Sequence, residues 1–193
     1  TLNAARAADV RQFLAIAVTL EDVPGLAAIA REHQDVVISA GLHPLHSAAK
    51  EPDVDDIVAA ADQYGAVAIG ESGLDYHYRD SVPVDIQHAR FKRHLLAARE
   101  LELPIVVHTR EAKEDTLALL REYTDPEVGG VLHCFSEDLE MAVAESIRAL
   151  AKEMKKTNKL NFNEIVKVLA KSFTKIPESS IREIIIDLFN EKG

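Results

Sequence analysis

Three short apolar runs in this chain each close on a side chain able to ligate a metal ion. Ala66-Val67-Ala68-Ile69-Gly70 leads to Glu71, Pro104-Ile105-Val106-Val107 to His108, and Gly130-Val131-Leu132 to His133. Short runs rich in Val and Ile, separated by helical stretches, read as parallel strands of an α/β fold, which places its ligand sites at the strands' carboxyl ends. The three side chains are therefore expected on one face of one sheet. A carboxylate with two imidazoles suits a divalent ion such as Zn, Mg, Mn or Fe and leaves positions open for water and substrate. Metal–ligand distances of roughly 2.0–2.3 Å put the three functional atoms within about 5 Å of a common point. The ligand set points to a hydrolase.

The remaining pattern supplies the scaffold. Apolar runs recur at Phe13–Val18, Val36–Ala40, Ala66–Ile69, Ile105–Val107 and Val131–Leu132. Between them, Val23–Glu32, Val54–Tyr64, Ile86–Leu101 and Ala112–Tyr123 space their apolar residues by three and four, as one-sided helices do. Asp53 and Asp85 stand where helix caps are expected. Strand, crossover helix and parallel strand, repeated, predict a right-handed α/β sheet, open or part of an eight-stranded barrel. Five such units do not close eight strands, so the fold class expected is a partial TIM-barrel-like array followed by an α-helical C-terminal segment.

That last segment differs in composition. Residues 1–148 hold 13 Lys and Arg, ten of them Arg, against 26 Asp and Glu, whereas residues 149–193 hold 9, eight of them Lys, against 6. The expected division is 1–147 as the (βα) portion and 148–193 as a helical segment of different origin. Leu139–Met154 reads as a helix, Lys155–Lys159 as a solvated loop, and two amphipathic helices follow. Phe162, Ile165, Val166, Leu169 and Phe173 form one stripe, and Ile181, Ile184, Ile185, Leu188 and Phe189 the other. Ile165, Leu169, Ile181, Ile184, Ile185 and Leu188 are expected to be buried. A helix-turn-helix DNA module around Lys175-Ile176-Pro177 is an alternative use of this pair, though its second helix lacks the Arg and Gln richness of base readers.

Charge and cysteine usage narrow the function classes. The net charge of −10 over 193 residues argues against a broad basic footprint for nucleic acid. Cys134 is the only cysteine and no run approaches the roughly 18 apolar residues of a membrane span. A reducing, cytoplasmic location without membrane association is the expectation. The chain begins at Thr1 rather than Met, so an upstream segment is expected to be missing.

The residues flanking the three ligands are specific. Gly41-Leu42-His43-Pro44-Leu45-His46, Gly70-Glu71-Ser72-Gly73-Leu74-Asp75-Tyr76, Val107-His108-Thr109-Arg110-Glu111-Ala112 and Leu132-His133-Cys134-Phe135-Ser136 follow one another in this order. Together they resemble the TatD family of metal-dependent deoxyribonucleases over about residues 1–147. The resemblance implies an amidohydrolase-like TIM barrel that cleaves phosphodiester bonds in DNA with metal-activated water. It implies Glu71 as the carboxylate shared by the metals and His108 and His133 as ligands. His43, Asp75, Tyr76 and Arg110 would line the same rim, with His43 and Asp75 among the catalytic groups. Arg110 would clamp phosphate, and Tyr76 would stack on the substrate or donate to it.

Two features of that family are missing from the sequence. No His-x-His pair occurs, and nothing after residue 147 matches the final Glu-Thr-Asp motif; Asp187, in a helical Ile-Ile-Ile-Asp-Leu-Phe context, is no substitute. The chain thus reads as the second to sixth barrel units joined to a helical tail, and nuclease activity is expected to be weak or absent relative to a full-length relative. An inactive chimeric scaffold stabilised by the tail is the alternative. Open sheet edges would also favour a homo-oligomer that completes the sheet. His33, His88 and His94 fall in helical stretches and read as surface or packing residues.

Overall fold

The computed structural model describes residues 2–125, 127–133, 161–172 and 177–186. Cys134, the helix expected over residues 139–154, Phe173, Asp187, Leu188, Phe189 and the side chain of Ile184 lie outside the described residues. The chain divides into two compact units, residues 1–136 and 137–193.

The first unit alternates strand and helix: α1 (Leu2–Ala7), β1 (Phe13–Ala15), α2 (Val23–Glu32), β2 (Val36–Ala40), α3 (Val54–Tyr64), β3 (Ala68–Asp75), α4 (Val84–Leu101), β4 (Ile105–Arg110), α5 (Lys113–Tyr123) and β5 (Gly130–His133). The five strands are all parallel and lie in the order β1-β2-β3-β4-β5. Right-handed crossovers in one direction keep the helices on one side of the sheet, which curls into a half-barrel. Ile38, Ala40, Ile69, Leu74, Ile105 and Val107 enter the core with Ile57, Ala61, Phe91, Leu95 and Ala98 of the helices. The expected helices form within two residues of their sequence bounds. Asp53 caps α3 in a reciprocal capping box with Asp56, whereas Asp85 lies inside the first turn of α4 after an N-cap at Pro83.

β3 is longer than its apolar run and carries an extra residue. Ile69 pairs with Ile105 and Ser72 with Val107, so three steps along β3 match two along β4. In a regular strand Glu71 would share the helix-facing side of Ile69, two residues earlier. The bulge resets the alternation, leaving Gly73 and Asp75 in register with His108 and Arg110, and it brings Glu71 to the same face. The Gly70–Glu71 peptide within it is cis. Glycine is required twice here: Gly70 has φ +126° and Gly73 φ +147°, and a Cβ would overlap the Val106 carbonyl oxygen at the first and the His108 carbonyl oxygen at the second.

In the second unit α6 (Phe162–Ser172) and α7 (Glu178–Ile185) pack on each other. Ile165, Val166, Leu169, Ile181 and Ile185 are buried. Arg182 bridges the pair, donating to Glu178 Oε1 and Asn163 Oδ1.

Candidate metal centre

His108 pairs with His133 across β4 and β5 and with Gly73 across β3 and β4, so both imidazoles stand at one level of the sheet. They converge on one oxygen. Glu71 Oε1 is 3.3 Å from His108 Nδ1 and 2.9 Å from His133 Nδ1. The backbone of Glu71 is held by its N–H, which donates to the Ala17 carbonyl, while the Ser39 hydroxyl donates to the carbonyl of Gly70 at 2.5 Å. Glu71 is 7% exposed. Burial pushes its carboxyl up, but the hydrogen bonds of His108 and His133, with the charges of His133 and His43, outweigh this and hold it down at about 2.

The second nitrogen of His108 is also committed: Nε2 lies 2.9 Å from Asp75 Oδ2. Burial alone would lower the affinity of His108 for a proton, yet the two flanking carboxylates raise it. Asp75 is itself fixed, its Oδ1 accepting the N–H of Tyr78 and its backbone N–H and C=O both bonded to the Gln87 amide. Carboxylate, imidazole and shared carboxylate in a row is the arrangement that orients a metal-bound histidine.

His43 enters from the loop after β2. Its ring meets the edge of His108 with centroids 4.6 Å apart, and His43, Glu71 and His108 offer ligand atoms within 4.8 Å of one another. Burial, helped by the charge of His108, pushes its imidazole down to about 4. Glu71, His108 and His133 thus form a nitrogen- and carboxylate-rich cluster whose donor set fits a divalent ion, with His43 packed against it. Two imidazoles already turn toward one anionic oxygen there, as ligands sharing a cation would.

The other residues expected at the site lie around it. Arg110 shares the register row of Asp75, and its guanidinium carbon sits 5.1 Å from the centre of the Tyr78 ring. The Tyr76 hydroxyl is engaged elsewhere, 2.5 Å from both Asp115 Oδ2 and His88 Nε2. It can donate to only one of them, so it donates to the carboxylate and accepts from His88. Burial and then Asp115 raise its proton affinity. His46 is exposed, and its carbonyl accepts from Arg90.

Reading the sequence missed the residues that carry this loop. Arg90, 1% exposed, donates through Nη1 to the carbonyls of His43, Pro44 and His46, and clamps Glu51 through Nε and Nη2. His94, fully buried, accepts the Leu42 N–H. With Gln87, these polar residues continue the inward stripe of Phe91, Leu95 and Ala98 along α4. That spacing was the available signal.

A sequence profile for TatD related DNase matches residues 1–171. The chain belongs to the TatD-related DNase family. It is 45% identical over 142 residues to YcfH of Escherichia coli K12, named a metal-dependent hydrolase, a match covering 73% of this chain and 52% of that one. A protein of Cronobacter sakazakii named 3'-5' ssDNA/RNA exonuclease TatD is 39% identical over 134 residues, covering 68% and 50%. The chain spans about half the length of these curated relatives. Among solved structures, a TatD family hydrolase from Entamoeba histolytica superposes with a TM-score of 0.61 at 23% identity, covering 72% of this chain and 48% of its own. The TatD homologue YJJV from Escherichia coli gives 0.59 at 19%, covering 92% and 84%, a likeness of fold. Among the described residues of this TatD-family chain, no helix is long and apolar enough to cross a membrane.

Proposed function

We propose that this TatD-family chain is a metal-dependent phosphodiesterase acting on DNA, with Glu71, His108 and His133 holding a divalent ion. The observation that carries the reading is the convergence of two imidazole nitrogens on the single oxygen Glu71 Oε1. A divalent ion bound there would polarise a phosphoryl oxygen and bring the pKa of bound water toward neutrality. Asp75 keeps the outer nitrogen of His108 protonated, which leaves the inner one free to ligate. Arg110, half-exposed and in register with Asp75, would grip a phosphate of the substrate. The relatives named as ssDNA/RNA exonucleases support single-stranded DNA as the first substrate to try.

The test is uptake of Mn²⁺ by chelator-stripped protein, followed by cleavage of an end-labelled single-stranded oligonucleotide. Uptake and cleavage should both be lost in Glu71→Gln. Cleavage that survives chelation, or an ion-loaded protein that leaves the oligonucleotide intact, would sink the reading.

A further inference from the structure

The Leu45 N–H donates to His43 Nδ1 at 3.2 Å. A ring nitrogen that accepts an N–H carries no proton of its own, so the neutral imidazole keeps its proton on Nε2. A metal ion needs a lone pair, and the one lone pair of neutral His43 is spent on Leu45. His108 and His133 differ in kind, since both turn a ring nitrogen to the Glu71 oxygen.

The backbone around His43 is fixed on every side. Its N–H donates to the Val18 carbonyl, and the Leu42 N–H donates to His94 Nε2. The carbonyls of His43, Pro44 and His46 all accept from Arg90 Nη1. Arg90 is buried with its Nε and Nη2 on Glu51, so releasing the loop would leave the buried Nη1 donors unpaired. The Leu45 N–H is therefore delivered to Nδ1 by a loop that does not yield cheaply.

We propose that His43 is not a metal ligand but a preset hydrogen-bond donor, whose Nε2–H serves an anionic phosphoryl oxygen of a substrate held at the Glu71–His108–His133 ion. The inference rests on the metal-hydrolase reading above. A neutral donor suits such a place, because it donates without repelling a neighbouring divalent ion.

Histidine-labelled protein decides the matter by ¹⁵N NMR at pH 7, before and after zinc. His43 should show the Nε2–H tautomer in both states, while His108 and His133 shift on zinc binding. His43→Ala should keep zinc affinity within about threefold and lower kcat by about 100-fold, the usual cost of one donor to a developing charge. His43→Gln, which restores an N–H at a similar reach, should recover part of that loss. An Nδ1–H tautomer, loss of the Nε2 proton on zinc binding, or a more than tenfold fall in zinc affinity in His43→Ala would overturn the proposal. A protein that takes up no zinc would instead remove the metal reading. The tautomer, and a shift of the His43 Nε2–H on titration with inorganic phosphate, would then still decide the role of the ring.

Discussion

His94 Nε2 accepts the backbone N–H of Leu42 at 3.0 Å, while its Nδ1 lies 2.8 Å from the Arg90 carbonyl and donates to it. The two partners fix one neutral tautomer in a fully buried site, and burial pushes the imidazole down to about 4. Unfolded, the same ring titrates near 6.5. Between these values the unfolded chain binds more protons, so stability is complete above pH 6.5 and falls as the pH drops toward 4. The loss should approach about 3 kcal/mol. Denaturant unfolding at pH 7, 5.5 and 4.5 should show it, and His94→Gln should have a flatter profile; an unchanged profile would refute the assignment.

Arg90→Met should cost about 3–5 kcal/mol, because it leaves three carbonyls and the Glu51 carboxylate without their donor. Glu51, partly exposed, can recruit water, so Glu51→Gln should cost clearly less. Equilibrium denaturation of the two variants checks the order.

Divalent-ion stabilisation should vanish with one carboxylate. Mn²⁺ at about 100 times its Kd should raise wild-type stability by about 2.7 kcal/mol. Glu71→Gln should show no such gain, and a thermal-shift titration reads both.

Salt should weaken single-stranded DNA binding only mildly. The chain carries a net charge of −10, and the proposed phosphate grip is Arg110, in register with Asp75. One or two phosphate contacts predict a fall of about three- to sevenfold between 50 and 200 mM salt. A hundredfold fall would mean a basic track elsewhere in the chain.

Leu169→Ala should lower the amide protection of α6 and α7 together, since Leu169 is 2% exposed within their contact and such truncations cost about 2–5 kcal/mol. Hydrogen exchange on the full chain would locate the loss.

The strands were legible because parallel strands need continuous apolar runs, and the residue that closes each run at Glu71, His108 and His133 stands out by contrast; the true ends were not, since β3 and β4 run on past Glu71 and His108 to Asp75 and Arg110. The bulge in β3 was not, since its register depends on β4 rather than on any local pattern. α1 escaped notice because it buries no residue and so has no apolar stripe. Gln87 and Arg90 were hidden by chemistry: polar side chains on a helix read as solvated, and they turn inward because Gln87 serves the backbone of Asp75 and Val82 while Arg90, with His94, serves the Leu42–His46 backbone.

The three converging side chains differ in their exposure. The His133 side chain at the end of β5 is 37% exposed, against 17% for His108 on β4 and 10% for Glu71 on β3. Local opening begins where burial is least. On warming, this cluster should therefore come apart in a set sequence, with the His133 contact failing while Glu71, His108 and Asp75 still hold their places. Such a chain would shed its ion before it unfolds, and stiffening β5 alone would raise the temperature at which the ion is kept.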